Sequence, residues 1–207
     1  MEISTSQPNR RQQRSQRRRE RILETARTSF GQHGFAGATV EAIASGAGVS
    51  NGLLYQFFDG KEALFQVVVA EVVRDWVRAM VPRPEETLSP SEKLEAMLRR
   101  SFSFCRGEPL LPAILTGDEL LQLERIGHPD LKRVHDHRDL IARVLRDGIA
   151  AREFRADLDV DSVADLIQQL HIDYSTRAYR REPEFPVDDE LIDAACGFVQ
   201  AAVEARN

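Results

Sequence analysis

The stretch that decides the fold runs from Val49 to Phe65 and reads V-S-N-G-L-L-Y-Q-F-F-D-G-K-E-A-L-F. Ser50 is a natural N-cap, because its hydroxyl can accept from an amide left unsatisfied at a helix start. Leu54 and Phe58 are four residues apart and share the inward face of a short helix. Asn51, Gly52, Leu53, Tyr55, Gln56 and Phe57 are left to its outer and end surfaces. Asp59-Gly60 stops that helix, and Lys61-Glu62 heads the next. So short and sparsely apolar a helix has little packing area of its own. Its form suits a probe held out from a domain.

The residues just upstream complete the motif. Thr39 is placed to cap a helix from Val40 to about Gly46, with Glu41 in the first turn, where the helix dipole favours negative charge. Ala44 is small where a second helix must cross closely, and Gly48 falls where the connecting turn needs a positive φ. Val49 pins that turn to the core. Two short helices joined by a glycine turn form a helix-turn-helix, whose second helix enters the DNA major groove.

Residues 20–65 carry E-R-I-L-E-T-A, F-G-Q-H-G-F, T-V-E-A-I-A, G-V-S-N-G-L-L-Y-Q-F-F and K-E-A-L-F in order and without gaps. This stretch resembles the DNA-binding domain of the tetracycline-repressor (TetR) family. The resemblance covers about a quarter of the chain; the remainder has no motif of comparable specificity. It implies that Thr39 and Lys61 hold phosphates at helix N-termini and that Ser50, Asn51, Gly52, Tyr55, Gln56 and Phe57 face the groove. Gln56 is the choice for direct base reading, since its amide can bond adenine N6 and N7 together. Family members often carry lysine, serine or threonine, histidine or tyrosine, and lysine where this chain has Asn51, Leu53, Phe57 and Asp59. Each difference removes a phosphate contact, and Asp59 adds repulsion.

Charge is divided unevenly. The net charge of the 207-residue chain is −5. Residues 1–21 hold seven arginines against Glu2 and Glu20, 7 − 2 = +5, which leaves −5 − 5 = −10 for the rest. Residues 22–62 hold Arg27 and Lys61 against Glu24, Glu41, Asp59 and Glu62, 2 − 4 = −2. The motif alone is poorly charged for DNA. The arginines, Arg14, Arg17 and Arg18 foremost, are expected to supply the missing counterion-release contribution. Residues 1–13 read as a disordered basic arm, 14–62 as the DNA-binding domain and 63–207 as a ligand-binding and dimerisation domain. The fold class expected is all-α, with about nine helices.

Composition is ordinary for a globular protein, 42% hydrophobic and 29% charged, and excludes a disordered chain. No apolar run suits a membrane span and no apolar core follows the N-terminal arginines, so a cytoplasmic protein is expected. Cys105 and Cys196 both fall in apolar helical pattern and read as buried and inert.

The first helix is expected over Arg14–His33, with Ile22, Ala26 and Phe30 inward and Gly34 as its stop. A fourth helix from Lys61 to Met80 ends at Pro82 and Pro84 and belongs to both halves of the chain. Further helices are expected from Ser89 or Ser91 to Cys105, over Leu110–Ile126, Asp130–Ala151, Asp159–Arg180 and Val187–Ala205. The last two carry more apolar surface than one helix pair covers; Leu166, Leu170, Leu191, Ala195, Phe198, Val199 and Ala202 are assigned to a homodimer interface. The resemblance implies the same interface.

Trp76, Met80, Met97, Phe102, Phe104, Leu111, Leu115 and Leu123 are assigned to an apolar effector pocket, with His171 and Tyr174 as polar anchors. His128, His135 and His137 do not make a metal site: His135 and His137 are two apart and point to different sides of a helix, and helical metal pairs use spacings of three or four. No phosphate loop, nucleophile elbow or zinc-protease motif is present, so neither a cofactor nor an enzyme is expected. The expectation is therefore a regulator, most readily a repressor, that binds a near-palindromic operator in double-stranded DNA as a homodimer and is released by a small apolar effector. The alternative is a DNA- or partner-binding helical protein without an effector.

Overall fold

A computed structural model describes residues 10–83, 85–108, 110–111, 114, 131–179 and 188–205. These residues form eight α-helices and no strand. The chain divides into two compact units, Met1–Val68 and Val69–Asn207.

In the first unit, α1 spans Arg10–Gly37 and is broken at Gly34, whose φ of 67° and ψ of 174° are not helical. The stop expected at Gly34 is therefore there, and one further turn follows it. The start lies earlier than the expected Arg14. Arg10, Arg11, Gln12 and Gln13 are helical rather than part of a disordered arm, because arginine and glutamine are good helix formers and no breaker separates them from Arg14. Ile22, Leu23, Ala26 and Phe30 form its buried face. Phe35, just past the break, packs on Phe30 and Phe65 with ring centroids 6.2 and 4.9 Å away.

α2 (Val40–Gly46) and α3 (Asn51–Phe57) are capped as their sequences require. Thr39 Oγ1 accepts from the Ala42 amide and Ser50 Oγ from the Leu53 amide, each at 3.2 Å. Gly48 has φ 63°, and the Val49 amide donates to Ala44 O at 3.0 Å, closing the turn. The tightest approach to α1 was not anticipated. A Cβ on Gly46 would lie 2.8 Å from Thr25 Cγ2, so glycine there lets α2 settle against α1. Ala44, assigned the close crossing from sequence, is fully buried nearby on the same helix.

α4 (Lys61–Met80) runs from the first unit into the second. The second unit then holds α5 (Pro90–Gly107), α6 (Leu131–Ala150), α7 (Val160–Tyr179) and α8 (Asp189–Val203). A capping box opens α5: Ser89 Oγ accepts from the Glu92 amide while the Glu92 carboxylate accepts from the Ser89 amide. α6 and α7 pack on each other and on α5, and α8 packs on α5. Ion pairs Arg99–Asp193 and Arg106–Asp189 line the rim of the α5–α8 contact. Both cysteines are free and buried, and burial raises the Cys196 thiol pKa.

After α6 the chain turns through Arg152, at φ 63°, and Phe154 folds back over Gly148. A Cβ on Gly148 would lie only 2.0 Å from the Phe154 ring. An isolated antiparallel bridge then ties Phe154 to Glu204: the Arg155 amide donates to Val203 O at 2.9 Å and the Ala205 amide to Glu153 O at 3.0 Å. The helix expected over residues 110–126, its stop at residues 127–129 and the loop at 181–186 lie almost wholly outside the described residues. Leu110, Leu111 and Ile114, which are described, are helical and buried. No helix among the described residues is long and apolar enough to cross a membrane.

Candidate nucleic-acid interface

The helix-turn-helix exposes the residues expected to read DNA. Thr39, Ser50, Asn51, Gly52 and Gln56 are exposed, and Tyr55 is 51% exposed despite its size. Leu54 is fully buried beneath them and Phe58 nearly so, which fixes the rotation of α3. Nothing lies within 4 Å of where a Gly52 Cβ would be, so the backbone there is open to close approach. Phe57 is half-buried, its ring 6.4 Å from Phe58, and serves the core as much as the surface.

Lys61 is placed differently from expectation. Its Nζ donates to Phe35 O at 2.8 Å and Ala38 O at 3.1 Å, and lies 4.5 Å from the Phe35 ring centroid. The ammonium closes the loop after α1, where the broken helix leaves carbonyls in need of donors. The side chain is half-buried, and two of its three donors are turned to backbone oxygens within the unit.

Arg14, Arg17 and Arg18 are exposed on α1. With Arg10 and Arg21 they fall at helical spacings of four, three, one and three, within about 100° of the circumference. That face is opposite Ile22, Leu23, Ala26 and Phe30. Arg19 points the other way and lies 5.5 Å over the Phe58 ring. The basic segment is thus a helical stripe of arginines. The helix was read from Arg14 onward; the turn at residues 10–13, which adds Arg10 to the stripe, was not.

In the second unit, four residues assigned to an effector pocket come together around a fifth. His137 Nε2 and His171 Nδ1 are 3.0 Å apart, with both rings fully buried. Trp76 lies 4.6 Å from His137, and Phe102 lies 5.0 Å from His171 and 5.2 Å from the half-buried Tyr174. Trp76 Nε1 donates to buried Ser101 Oγ at 3.0 Å. Burial lowers the His137 pKa to about 4 and drives that of His171 well below its ordinary value, so both are neutral.

His137 was not assigned to the pocket from sequence. The signal was its register with Ile141, Val144, Leu145 and Gly148, which places it on the buried face of α6. Met80, Met97 and Leu111 are buried. Phe104 does not join the cluster; it lines a surface hollow of about 750 Å³ with Arg78, Arg99 and Arg100. Leu115 and Leu123 lie outside the described residues, as do His128 and the side chain of His135.

α7 and α8 expose an apolar face. Leu166 is 67% and Phe198 71% exposed, and with Leu170, Val199 and Ala202 they line a groove of about 220 Å³. Ala195 and Val199 are buried within the unit and Leu170 and Leu191 are half-buried, so Leu166, Phe198 and Ala202 are the exposed residues of this face.

Comparison with known proteins accords with this arrangement. Residues 22–68 match the model of the bacterial regulatory proteins of the tetR family. The HTH-type transcriptional repressor KstR2 of Mycolicibacterium smegmatis is 32% identical over 157 residues, 73% of this chain and 74% of that protein. Among solved structures, the ketosteroid transcriptional regulator KstR2 of Mycobacterium tuberculosis superposes with a TM-score of 0.67 at 24% identity, over 91% of this chain and 96% of that one. The transcriptional regulator FadR of Bacillus subtilis, solved with stearoyl-CoA, gives 0.72 at 20% identity, over 89% and 99%. The chain belongs to the tetR family of bacterial regulatory proteins and is a DNA-binding transcriptional regulator.

Proposed function

We propose that this regulator is a cytoplasmic, non-catalytic repressor that binds a near-palindromic operator as a homodimer and is released by a small, largely apolar effector. The observation that carries the reading is α3. It is seven residues long, anchored by Leu54, and exposes Asn51, Gly52, Tyr55 and Gln56 beside a capped α2. Gln56 reads a base edge, Tyr55 contacts a phosphate or thymine methyl, and Thr39 and Ser50 offer hydroxyls to the backbone. The arginine stripe on α1 supplies the phosphate contacts that residues 22–62, at −2, do not.

Residues 14–62 with the preceding helical turn serve as the DNA-binding domain, and residues 63–207 hold effector and dimer contacts. Exposed Leu166 and Phe198 support pairing of α7 and α8 with their symmetry mates, since exposed apolar faces of this kind mark association surfaces. The effector class is supported by the relatives, one named a ketosteroid transcriptional regulator and another solved with stearoyl-CoA, whose acyl chain is apolar. Effector binding favours a dimer state with lower operator affinity, a shift between two populations.

The test is fluorescence anisotropy of the full chain on its selected operator, titrated with stearoyl-CoA and with a ketosteroid. Release by either supports the reading. Tight operator binding that no such ligand weakens would refute the effector assignment and leave the DNA reader standing.

A further inference from the structure

Two polar rings in an apolar core require an explanation. His137 and His171 come from different helices, α6 and α7, and are stacked with centroids 4.9 Å apart and an interplanar angle of 21°. Their contact at 3.0 Å accounts for one nitrogen of each ring. His137 Nδ1 is fully buried and has no hydrogen-bond partner, and a buried polar nitrogen without one is destabilising. Retaining an imidazole there is explained by something that bonds it.

The pair has a defined proton logic. Each neutral imidazole carries one N–H, and one hydrogen lies between His137 Nε2 and His171 Nδ1. When His137 donates it, His137 Nδ1 is a bare acceptor. When His171 donates it, the His137 proton sits on Nδ1, which becomes a donor. An oxygen acceptor arriving at His137 Nδ1 therefore selects one tautomer of both rings at once. Around the pair stand Trp76, Phe102 and Tyr174. One helical turn from Trp76 and from Ser101 are buried Met80 and Met97, unbranched side chains that repack readily. The surroundings thus offer apolar area, adaptable volume and, at His137 Nδ1, a polar atom without a partner.

We propose that the His137–His171 pair is the polar contact of the effector site, with His137 Nδ1–H donating to a single uncharged oxygen acceptor, a keto or thioester carbonyl borne on an apolar skeleton or acyl chain. This rests on the reading of the second unit as the effector unit. A neutral pair has no charge to offset an anion, so a carboxylate is a poor occupant. The carbonyl is matched by one donor, and an analogue without it would leave that donor unsatisfied, which is how a buried polar group discriminates.

The test uses the full chain labelled with ¹⁵N-histidine, with a ketosteroid, the same steroid skeleton lacking its keto groups, and stearoyl-CoA as probes. On saturation with the ketosteroid or stearoyl-CoA, long-range ¹H–¹⁵N spectra should move His137 Nδ1 to the protonated position. His137→Phe should weaken those two probes by about tenfold or more and leave the deoxygenated steroid bound at least as well. Unchanged ring-nitrogen resonances in the wild-type protein at saturation would overturn the proposal, and this arm needs no variant to fold. So would equal probe affinity in His137→Phe and wild type. A probe that releases operator from both proteins equally removes the histidine pair but keeps the effector reading. If neither probe binds a protein that still holds its operator, the effector reading falls and this proposal with it.

Discussion

The two units differ in what their cores contain. In Met1–Val68 the buried described residues are apolar or glycine, and every residue proposed to touch DNA sits at the surface or on a cap. In Val69–Asn207 the core also encloses Ser101, Glu108, His137, Gln168 and His171. A burial pattern of this kind separates two tasks. The first unit needs its core only to hold α3 at a fixed rotation, and function is carried by what protrudes. The second places costly polar groups inside, where they gain discrimination because water cannot compete.

The largest expected effect tests the face of α7 and α8 proposed to join two copies of the second unit. Leu166→Glu with Phe198→Glu should give a monomer in light scattering and weaken operator binding about 100-fold or more, because two linked reading heads become independent. Retained dimerisation would remove α7 and α8 from the interface.

Next comes the charge on the first unit. Replacing Arg14, Arg17 and Arg18 with Gln should flatten the dependence of log K on log salt by roughly 2–3 per subunit. Lys61→Met should leave that slope unchanged while destabilising the first unit by about 1–2 kcal/mol, since the carbonyls of Phe35 and Ala38 lose their donor. A slope change with Lys61→Met would return its ammonium to the phosphates.

A smaller effect separates the units by stability alone. Gly148→Ala should lower the unfolding free energy of the second unit by about 1–3 kcal/mol in denaturant titration, because the added methyl overlaps the Phe154 ring. Operator contacts by the first unit should persist.

Acid is expected to act on the second unit as well. The folded His137 pKa is about 4 against 6.5 for the free group, so the unfolded chain binds more protons between those values. The contribution of neutral His137 is fully present above pH 6.5 and is lost as pH falls towards 4. Thermal melts across that window should show a slope that His137→Phe reduces; an equal slope in the variant would place the acid sensitivity elsewhere.

Legibility in the sequence follows the same division. The first unit is built from local signals: Thr39 and Ser50 as caps, Gly48 as a turn, Leu54 and Phe58 as a four-residue pair. Such interactions span few residues, so the sequence displays them directly. The contacts of Lys61 are not legible locally because its partners, Phe35 O and Ala38 O, lie 26 and 23 residues away. In the second unit, His137 and His171 are separated by 34 residues and meet only when α6 packs on α7. The helical pattern places His137 on an inner face, but nothing local says which ring it meets. Gly46 and Gly148 illustrate the same limit, since the atoms that forbid a side chain come from Thr25 on α1 and from the turn at Phe154.

The central proposal is that α3 reads the groove and is presented in two symmetric copies. Selection of bound duplexes from a random pool by the full chain tests this directly. A dimeric groove reader selects an inverted repeat with half-site centres a whole number of turns apart, about 10–10.5 base pairs each. It also selects an adenine position whose preference disappears in Gln56→Ala. Enrichment of a single asymmetric site, or no change at any position in Gln56→Ala, would contradict it.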